Sequence, residues 1–445
     1  MLKNIFALVF LMLSVSAIAQ TELSLSAAIE KAIGHNLQIE FQQKQVQLAE
    51  QSDNWANAGR TPTIDATIFN QSAINRQVNP ANVILPEQLS YTTGLQGSVD
   101  MNLVLFNGGR IKLNKDNLSL QTEQARLDMR IAIEDLSEQV MIAYYNILLL
   151  EEQLKVLEEV KTLSRDRLDF QELRQSFGSA STFDVLQAKD AYLNDSITCI
   201  QLDNQLVGLT NNLKLLMGEA QGAENYTLTN DLEDMMPLIS EQELRQRMLN
   251  NNSDLANLRL ADQLAQNSIA LEKTSLKPTI AMSAGFNSNL NSSYLDAENP
   301  ITMEIIGANT SSGVNPFVGI SATYRIFDGG VRKNRVQNAE LRLLSNQDLR
   351  KNLEQSLGTQ FNNTYLQLEA NQQVLLISTD QLDHAAQNLE IAKDRYENGL
   401  ISSFDYRSIQ LGYLNAAQRK LEAHFDVLNA QIALMNITGG LYQLN

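Results

Sequence analysis

An internal repeat constrains this chain more than any other feature. Phe106-Asn107-Gly108-Gly109-Arg110 returns as Phe327-Asp328-Gly329-Gly330-Val331, 221 residues later. Phe177 to Asp184 (FGSASTFD) returns as Asn398 to Asp405 (NGLISSFD) at the same 221-residue spacing, and so does Gly218 as Gly439. Upstream, Pro62-Thr63-Ile64 returns as Pro278-Thr279-Ile280 after 216 residues, so loops of unequal length separate the landmarks. Landmarks that share one offset mark self-similarity, and each half must then build the same supersecondary unit. We divide the chain accordingly into 1–19, a leader; 20–220, a first unit; and 221–445, a second, each unit comprising a helix, two strands and a helical hairpin.

The strand runs alternate. Leu95, Val99, Met101, Leu103 and Leu105 are separated by Gln96, Ser98, Asp100 and Asn102; Val318, Ile320, Ala322, Tyr324 and Ile326 alternate with Gly319, Ser321, Thr323 and Arg325. Ile64 to Ile68 and Ile280 to Phe286 follow the same rule. Period-2 alternation over about ten residues describes a strand with one apolar and one polar face, long enough for a tilted transmembrane strand. A soluble sheet lying on a core is the alternative. Polar stretches from Gln71 to Thr93 and from Asn287 to Asn315, with Pro80, Pro86, Pro300 and Pro316, read as the connecting loops.

The remainder reads as long helix. Neither Pro nor Gly occurs from Lys112 to Ser176, and Gly358 alone interrupts Val331 to Asn398. A helix of roughly 65 residues is about 100 Å long at 1.5 Å per residue and needs partners along its length. Seams supply them: Leu136-Val140-Ala143-Ile147-Leu150-Leu154-Leu157; Cys199-Leu202-Leu206-Leu209-Leu213-Leu216; Phe361-Leu368-Leu375-Leu382-Leu389-Tyr396; and Leu411 through Met435. The single cysteine, Cys199, therefore reads as a packed thiol. Gly178 and Gly399 end the long helices, Ser181 or Thr182 and Ser402 or Ser403 cap the next ones, and Asp184 and Asp405 sit in their first turns.

At the N-terminus, Lys3, the apolar run Ile5 to Val15 and Ala17-Ile18-Ala19 form a secretory signal peptide with cleavage before Gln20. The run is too short to span a bilayer, and no later stretch reaches the roughly 20 apolar residues a spanning helix needs. A formal net charge of −17 argues against a nucleic-acid partner. His35, His384 and His424 are scattered, so no metal or cofactor is expected, and no nucleophile, phosphate-loop or zinc-protease motif points to an enzyme.

Four strands cannot close a membrane barrel, because an open edge leaves backbone groups unsatisfied in lipid. If the strands span a membrane, several copies must share one barrel. Here the chain resembles the TolC family of outer-membrane efflux proteins. The resemblance rests on the leader, the doubled layout, Phe-Asn-Gly-Gly-Arg and Phe-Asp-Gly-Gly at the strand-to-helix turns (Gly108, Gly109, Gly329, Gly330), and Tyr396-Glu397-Asn398-Gly399-Leu400-Ile401-Ser402-Ser403-Phe404-Asp405. It covers essentially the whole mature chain.

The resemblance implies a mainly α protein with a transmembrane β part. Long coiled-coil hairpins would form an α-barrel, and four strands per chain would enter a shared trimeric β-barrel. It implies a homotrimer in the outer membrane that reaches through the periplasm to a periplasmic adaptor (membrane fusion) protein and an inner-membrane transporter. It places the adaptor contact on Gly178, Ser179, Thr182, Phe183, Gly399, Leu400, Ser403 and Phe404, and the aperture gate on Asp184, Tyr396 and Asp405, with Tyr396 bonding Asp184. Two positions depart from the family: Ser408 stands where a second entrance acid is expected, with Arg407 beside it, and Ile401 where a basic latch residue is expected. The implied function is a passive exit duct opened by docking. Alternatives are the outer-membrane component of a type I protein secretion system, a soluble periplasmic coiled-coil scaffold, and an exported hydrolase whose site is not visible.

Overall fold

The computed structural model describes residues 21–78, 87–219, 226–233, 240–298, 301–302 and 304–440. The leader, Pro80, Pro86 and Pro300 lie outside them. The elements run β1 (Thr21–Leu23), α1 (Leu25–His35), α2 (Leu37–Ser52), β2 (Thr63–Val78), β3 (Glu87–Phe106), α3 (Arg110–Ser176), α4 (Thr182–Leu216), β4 (Tyr226–Leu228), α5 (Glu241–Asn251), α6 (Ser253–Thr274), β5 (Thr279–Glu298), β6 (Ile305–Thr323), α7 (Val331–Glu397) and α8 (Ser403–Ile437). The repeat survives to the residue: α3 and α7 each have 67 residues, and α4 and α8 each have 35. Among the described residues, no helix is long and apolar enough to cross a membrane.

The chain packs into two compact units that cut across the repeats. One, Gln47–Gln124 with Leu260–Asp348, holds the strands. They form one antiparallel sheet in the order β2-β3-β5-β6, so β3 and β5 join the two repeats. The register aligns apolar rows on one face: Ile64, Met101, Ala284 and Val318; Ala66, Val99, Phe286 and Pro316; Ile74, Tyr91, Tyr294 and Ala308. Ile64, Ile68, Ile74, Val318 and Ile320 are exposed on that face. The opposite face is mainly polar, with Thr67, Ser98, Asn287 and Asn315 in one row, although Phe69 and Phe317 also stand on it. Strands β2 and β6 are edges, each paired on one side.

Two expectations need correction. The polar stretches around Gln71–Thr93 and Asn287–Asn315 are largely strand, because β2 runs on to Val78, β3 starts at Glu87, β5 reaches Glu298 and β6 starts at Ile305. Ladder bonds join backbones whatever the side chains, and the row Ser72, Thr93, Ser292 and Thr310 interrupts the apolar signal without interrupting the pairing. Pro316 lies inside β6, paired opposite Phe286 of β5. Conversely, the strand expected to reach Ile326 stops at Thr323, opposite Thr279. Its counterpart β3 continues to Phe106 because β5 pairs with it there.

The other unit, the described residues of Met1–Val46, Ala125–Arg259 and Leu349–Asn445, is helical. Its main core gathers Val140, Met141, Tyr144 and Ile147 of α3 with Leu213 of α4 and Leu428 and Ile432 of α8. A second core gathers Phe361, Leu368 and Leu375 of α7 with Val427 and Leu434 of α8. Each such side chain contributes about 1.5–3 kcal/mol on burial. The expected seams are buried on α3 and α7 except at the half-buried Leu154 and Leu382, but Leu411 is exposed on α8, whose inner face there runs through Tyr406, Gln410 and Leu414. Cys199 is buried with Leu157, Val160 and Leu414, and burial raises its thiol pKa.

The parallel pair β1–β4 was not visible in the sequence. It is held by Tyr144, whose hydroxyl donates to the Leu23 carbonyl (2.8 Å) and accepts from the Thr229 and Asn230 amides (3.2 and 3.3 Å). Equivalent joints close each repeat. Asn36 donates to the Leu216 carbonyl (2.9 Å), and Asn252 donates to the Ile437 carbonyl (3.0 Å). Gly218 and Gly439 follow those helix ends at φ 73° and 66°. A Cβ on either would lie 2.3 or 2.4 Å from the carbonyl oxygen of His35 or Asn251, so only glycine fits.

Candidate functional site at the hairpin tips

Both tips fold from local chemistry. Gly178 (φ 72°) and Gly399 (φ 71°) end α3 and α7 in left-handed geometry. The next amides close back over the helix ends: Ser179 N–H to the Arg174 carbonyl and Leu400 N–H to the Arg395 carbonyl, each 2.8 Å. Ser181 and Ser402 then cap α4 and α8. Each hydroxyl accepts from the amide three residues on, Asp184 at 3.3 Å and Asp405 at 3.1 Å. Each aspartate accepts from its serine's hydroxyl at 2.7 Å and from that serine's amide, giving reciprocal capping boxes. The bonds from Ser181 hold the Asp184 carboxyl below the usual aspartate range. Phe177, Phe183, Leu400 and Phe404 stand exposed.

The strand-to-helix turns lie in the other unit. Gly108 and Gly109 bridge β3 and α3; Gly329 and Gly330 precede α7, all at positive φ. Asp328 caps α7 by accepting from the Gly330 and Arg332 amides, both at 3.1 Å, and pairs with the Arg332 side chain at 2.8 Å.

Behind the tips, the surroundings differ. Tyr396 is buried, 3 % exposed, stacked on Tyr406 at 4.7 Å between centroids and edge-on to Phe170. Its hydroxyl accepts from Gln171 Nε2 at 2.7 Å. Within this chain, therefore, no hydrogen bond joins Tyr396 to Asp184, which closes its own capping box. Ile401 packs against the same aromatic cluster, and Ser408 is exposed.

Sequence reasoning missed the polar cluster beside these rings. Arg407 of α8 grips Asp195 of α4 with two bonds, Nη2 to Oδ1 at 2.6 Å and Nη1 to Oδ2 at 2.8 Å. Ser164 of α3 donates to Asp195 Oδ2 (2.5 Å) and accepts from Arg407 Nη1 (2.9 Å). Arg167 of α3 donates to the Ser403 carbonyl at 3.2 Å. Burial lowers the pKa of Arg167, as does the charge of Arg407, while Tyr396, Asp195 and Tyr406 oppose the shift. A signal existed in the repeat itself. Arg407, Tyr396 and Tyr406 stand where the first repeat has Leu186, Gln175 and Val185; Ser164, Arg167 and Asp195 stand where the second has Ala385, Asn388 and Ala416. Those three second-repeat positions fall on a face of α7 and α8 where Ala385, Asn388, Ala392 and Ala416 line an open cleft of about 590 Å³. Among the described residues no cluster could hold a metal ion.

Comparisons with known proteins fit this layout. The sequence model of a family described as Outer membrane efflux protein matches residues 28–219 and 244–440, one segment per repeat. A search of curated protein sequences finds no match. Among solved structures, the chain is similar to the Campylobacter jejuni CmeC outer membrane channel, with TM-score 0.74, 14 % identity, and 94 % of this chain and 85 % of that one covered. It is similar to a membrane protein from Pseudomonas aeruginosa, with TM-score 0.73, 16 % identity, and coverage of 95 % and 91 %. It is also similar to the open state of the Neisseria gonorrhoeae MtrE outer membrane channel, with TM-score 0.65, 16 % identity, and coverage of 96 % and 94 %.

Proposed function

Because this chain belongs to the outer membrane efflux protein family, we propose that it is the passive exit duct of a tripartite efflux system and works as a homotrimer. The observation that carries this reading is the four-stranded sheet, apolar on one face and unclosed at β2 and β6. From Tyr91 to Leu103 the apolar face of β3 extends about 40 Å at 3.3–3.4 Å per residue, or about 30 Å across a bilayer at a 45° tilt. Three copies would supply twelve strands.

The repeat supports head-to-tail closure. Strand β5 is the second repeat's version of β2, and β6 is that of β3. The β6 edge of one copy can therefore meet the β2 edge of the next as β3 meets β5 within a chain, a heterologous contact that closes into a ring. Carrying the β3–β5 register over by the two offsets sets Ala322 of one copy opposite Ile68 of the next. The cleft on α7 and α8 supports the same closure, since its first-repeat equivalent is filled by α8. The exposed Leu186 of a neighbouring copy's α4 stands where Arg407 does.

The tips are read as the docking and gating end. Exposed Phe183, Leu400 and Phe404, with Gly178, Ser179, Thr182, Gly399 and Ser403, meet the periplasmic adaptor. Asp184, Tyr396 and Asp405 bound the aperture. Cysteines at Ala322 and Ile68, in a Cys199→Ser background, are expected to give a covalent three-chain ladder on oxidation in membranes. A processed chain that runs as a monomer without detergent and forms no pores sinks the reading. For the gate, Tyr396→Phe with Asp184→Ala is expected to raise conductance in planar bilayers, and unchanged conductance removes those residues from it.

A further inference from the structure

The cluster behind the tips holds two guanidinium groups and one carboxylate. Arg407 occupies both oxygens of Asp195. Arg167, 3 % exposed, uses Nη1 on the Ser403 carbonyl, but its Nε and Nη2 are buried without a partner. Arginine does not shed its proton, and the Nε–Nη2 edge is a fork shaped for a carboxylate. The carboxylate whose charge acts on Arg167 is Asp195. It already accepts from Ser164, one helical turn from Arg167 on the same face of α3.

We propose that Arg167 and Arg407 are positioning residues that exchange Asp195 between them, and that the exchange loosens the second tip's hold on the first hairpin. In the described arrangement Arg407 on α8 holds Asp195 on α4, a bond between hairpins. In the exchanged arrangement Arg167 takes Asp195 on its Nε–Nη2 edge, a bond inside the first hairpin. Arg407, whose side chain is 15 % exposed, turns out to water. Breaking a buried ion pair is ordinarily opposed by the charge left alone. Here that charge has a second partner in place, so opening removes the link without stranding the carboxylate. The Arg407–Asp195 bond between the hairpins is thereby lost, while Gln171 still bonds Tyr396 and Arg167 still reaches the Ser403 carbonyl. The second repeat has Ala385, Asn388 and Ala416 at the equivalent positions and holds no such device.

This inference rests on the reading of the tips as a gate, and its test separates the two. The full chain is reconstituted in planar bilayers in KCl, and in detergent it is melted while helix content is followed. Arg407→Met is expected to raise mean conductance about tenfold, a population shift toward the open arrangement, with a small fall in melting temperature. Arg167→Met removes the second partner, lowers conductance, and leaves the melting temperature unchanged or higher. The double variant strands Asp195, and its melting temperature is expected to fall by more than the two single changes together. Additive melting shifts overturn the exchange, as does an Arg407→Met chain that cannot fold, since Arg167 should then have taken the carboxylate. If the unaltered chain conducts and Arg407→Met leaves conductance unchanged, the gating role is overturned. If the unaltered chain does not conduct at all, the duct reading fails, and the melting comparison alone decides the exchange.

Discussion

The two hairpin tips share one backbone design and differ in what stands behind it. Each has a left-handed glycine, a capping serine, an aspartate returning the cap and an exposed phenylalanine. The first tip is tied mainly to itself, with Gln175 reaching Thr182 at 3.1 Å. The second is tied to the other hairpin by the Phe170–Tyr396 ring contact, the Gln171 bond, the Arg167–Ser403 bond and the Arg407–Asp195 pair. A short motif fixes a local turn, whereas the partners that tie the second turn to the other hairpin, Phe170, Gln171 and Arg167, lie outside the motif.

The difference can be broken at its anchor first. Tyr406→Ala should cost about 3–5 kcal/mol, as for other buried aromatic truncations, while Val185→Ala at the equivalent first-tip position should cost about 1 kcal/mol or less. Thermal melting with hydrogen exchange at the tips would read both, and equal losses would abolish the asymmetry. Next, Tyr396→Phe leaves the Gln171 amide without its buried acceptor, an expected loss of about 1–3 kcal/mol. Protection from exchange should fall at the second tip and hold at the first.

The shared design should respond equally. Gly178→Ala and Gly399→Ala each force a side chain into left-handed backbone, at about 1–2 kcal/mol. Ser181→Ala and Ser402→Ala each remove a cap, at about 1 kcal/mol. A pair that differs by more than its error would show that the anchors reach into the turn itself. The smallest effect is acidic. The Asp184 carboxyl is held lower in the folded chain than in the unfolded one, so its stabilisation is present above the ordinary aspartate range and fades as pH falls through the lowered value. The protection of the Ser181 amide, taken relative to the intrinsic exchange rate at each pH, should therefore fall in acid, and Asp184→Asn should remove that dependence.

Much of the architecture was legible because it is periodic. Repeat, helices, tips and the faces of the strands all rest on spacings that a linear reading can count. The strand ends were misjudged because pairing is a property of the neighbouring strand: β6 stops where β5 begins, and Ser72 and Thr93 are strand although polar. The clasp was invisible for a related reason. Asp195 and Arg407 are 212 residues apart, and neither belongs to a motif. What could have exposed them was a comparison of the repeats against each other, since a charged residue in one copy opposite a leucine or alanine in the other marks a place where symmetry was abandoned.

The matched lengths of the helices carry a consequence for how such a chain can change. Helices α3 and α7 have 67 residues each, with buried seams set by position along the helix. Deleting one residue midway turns everything beyond it by about 100° and moves the buried stripe to the wet side. A whole heptad restores the phase but shifts one hairpin past its neighbours by about 10 Å. Point substitutions can therefore accumulate along these helices, as the divergence of the two halves attests, whereas insertions and deletions within them keep the packing only when both gain or lose the same whole number of heptads together.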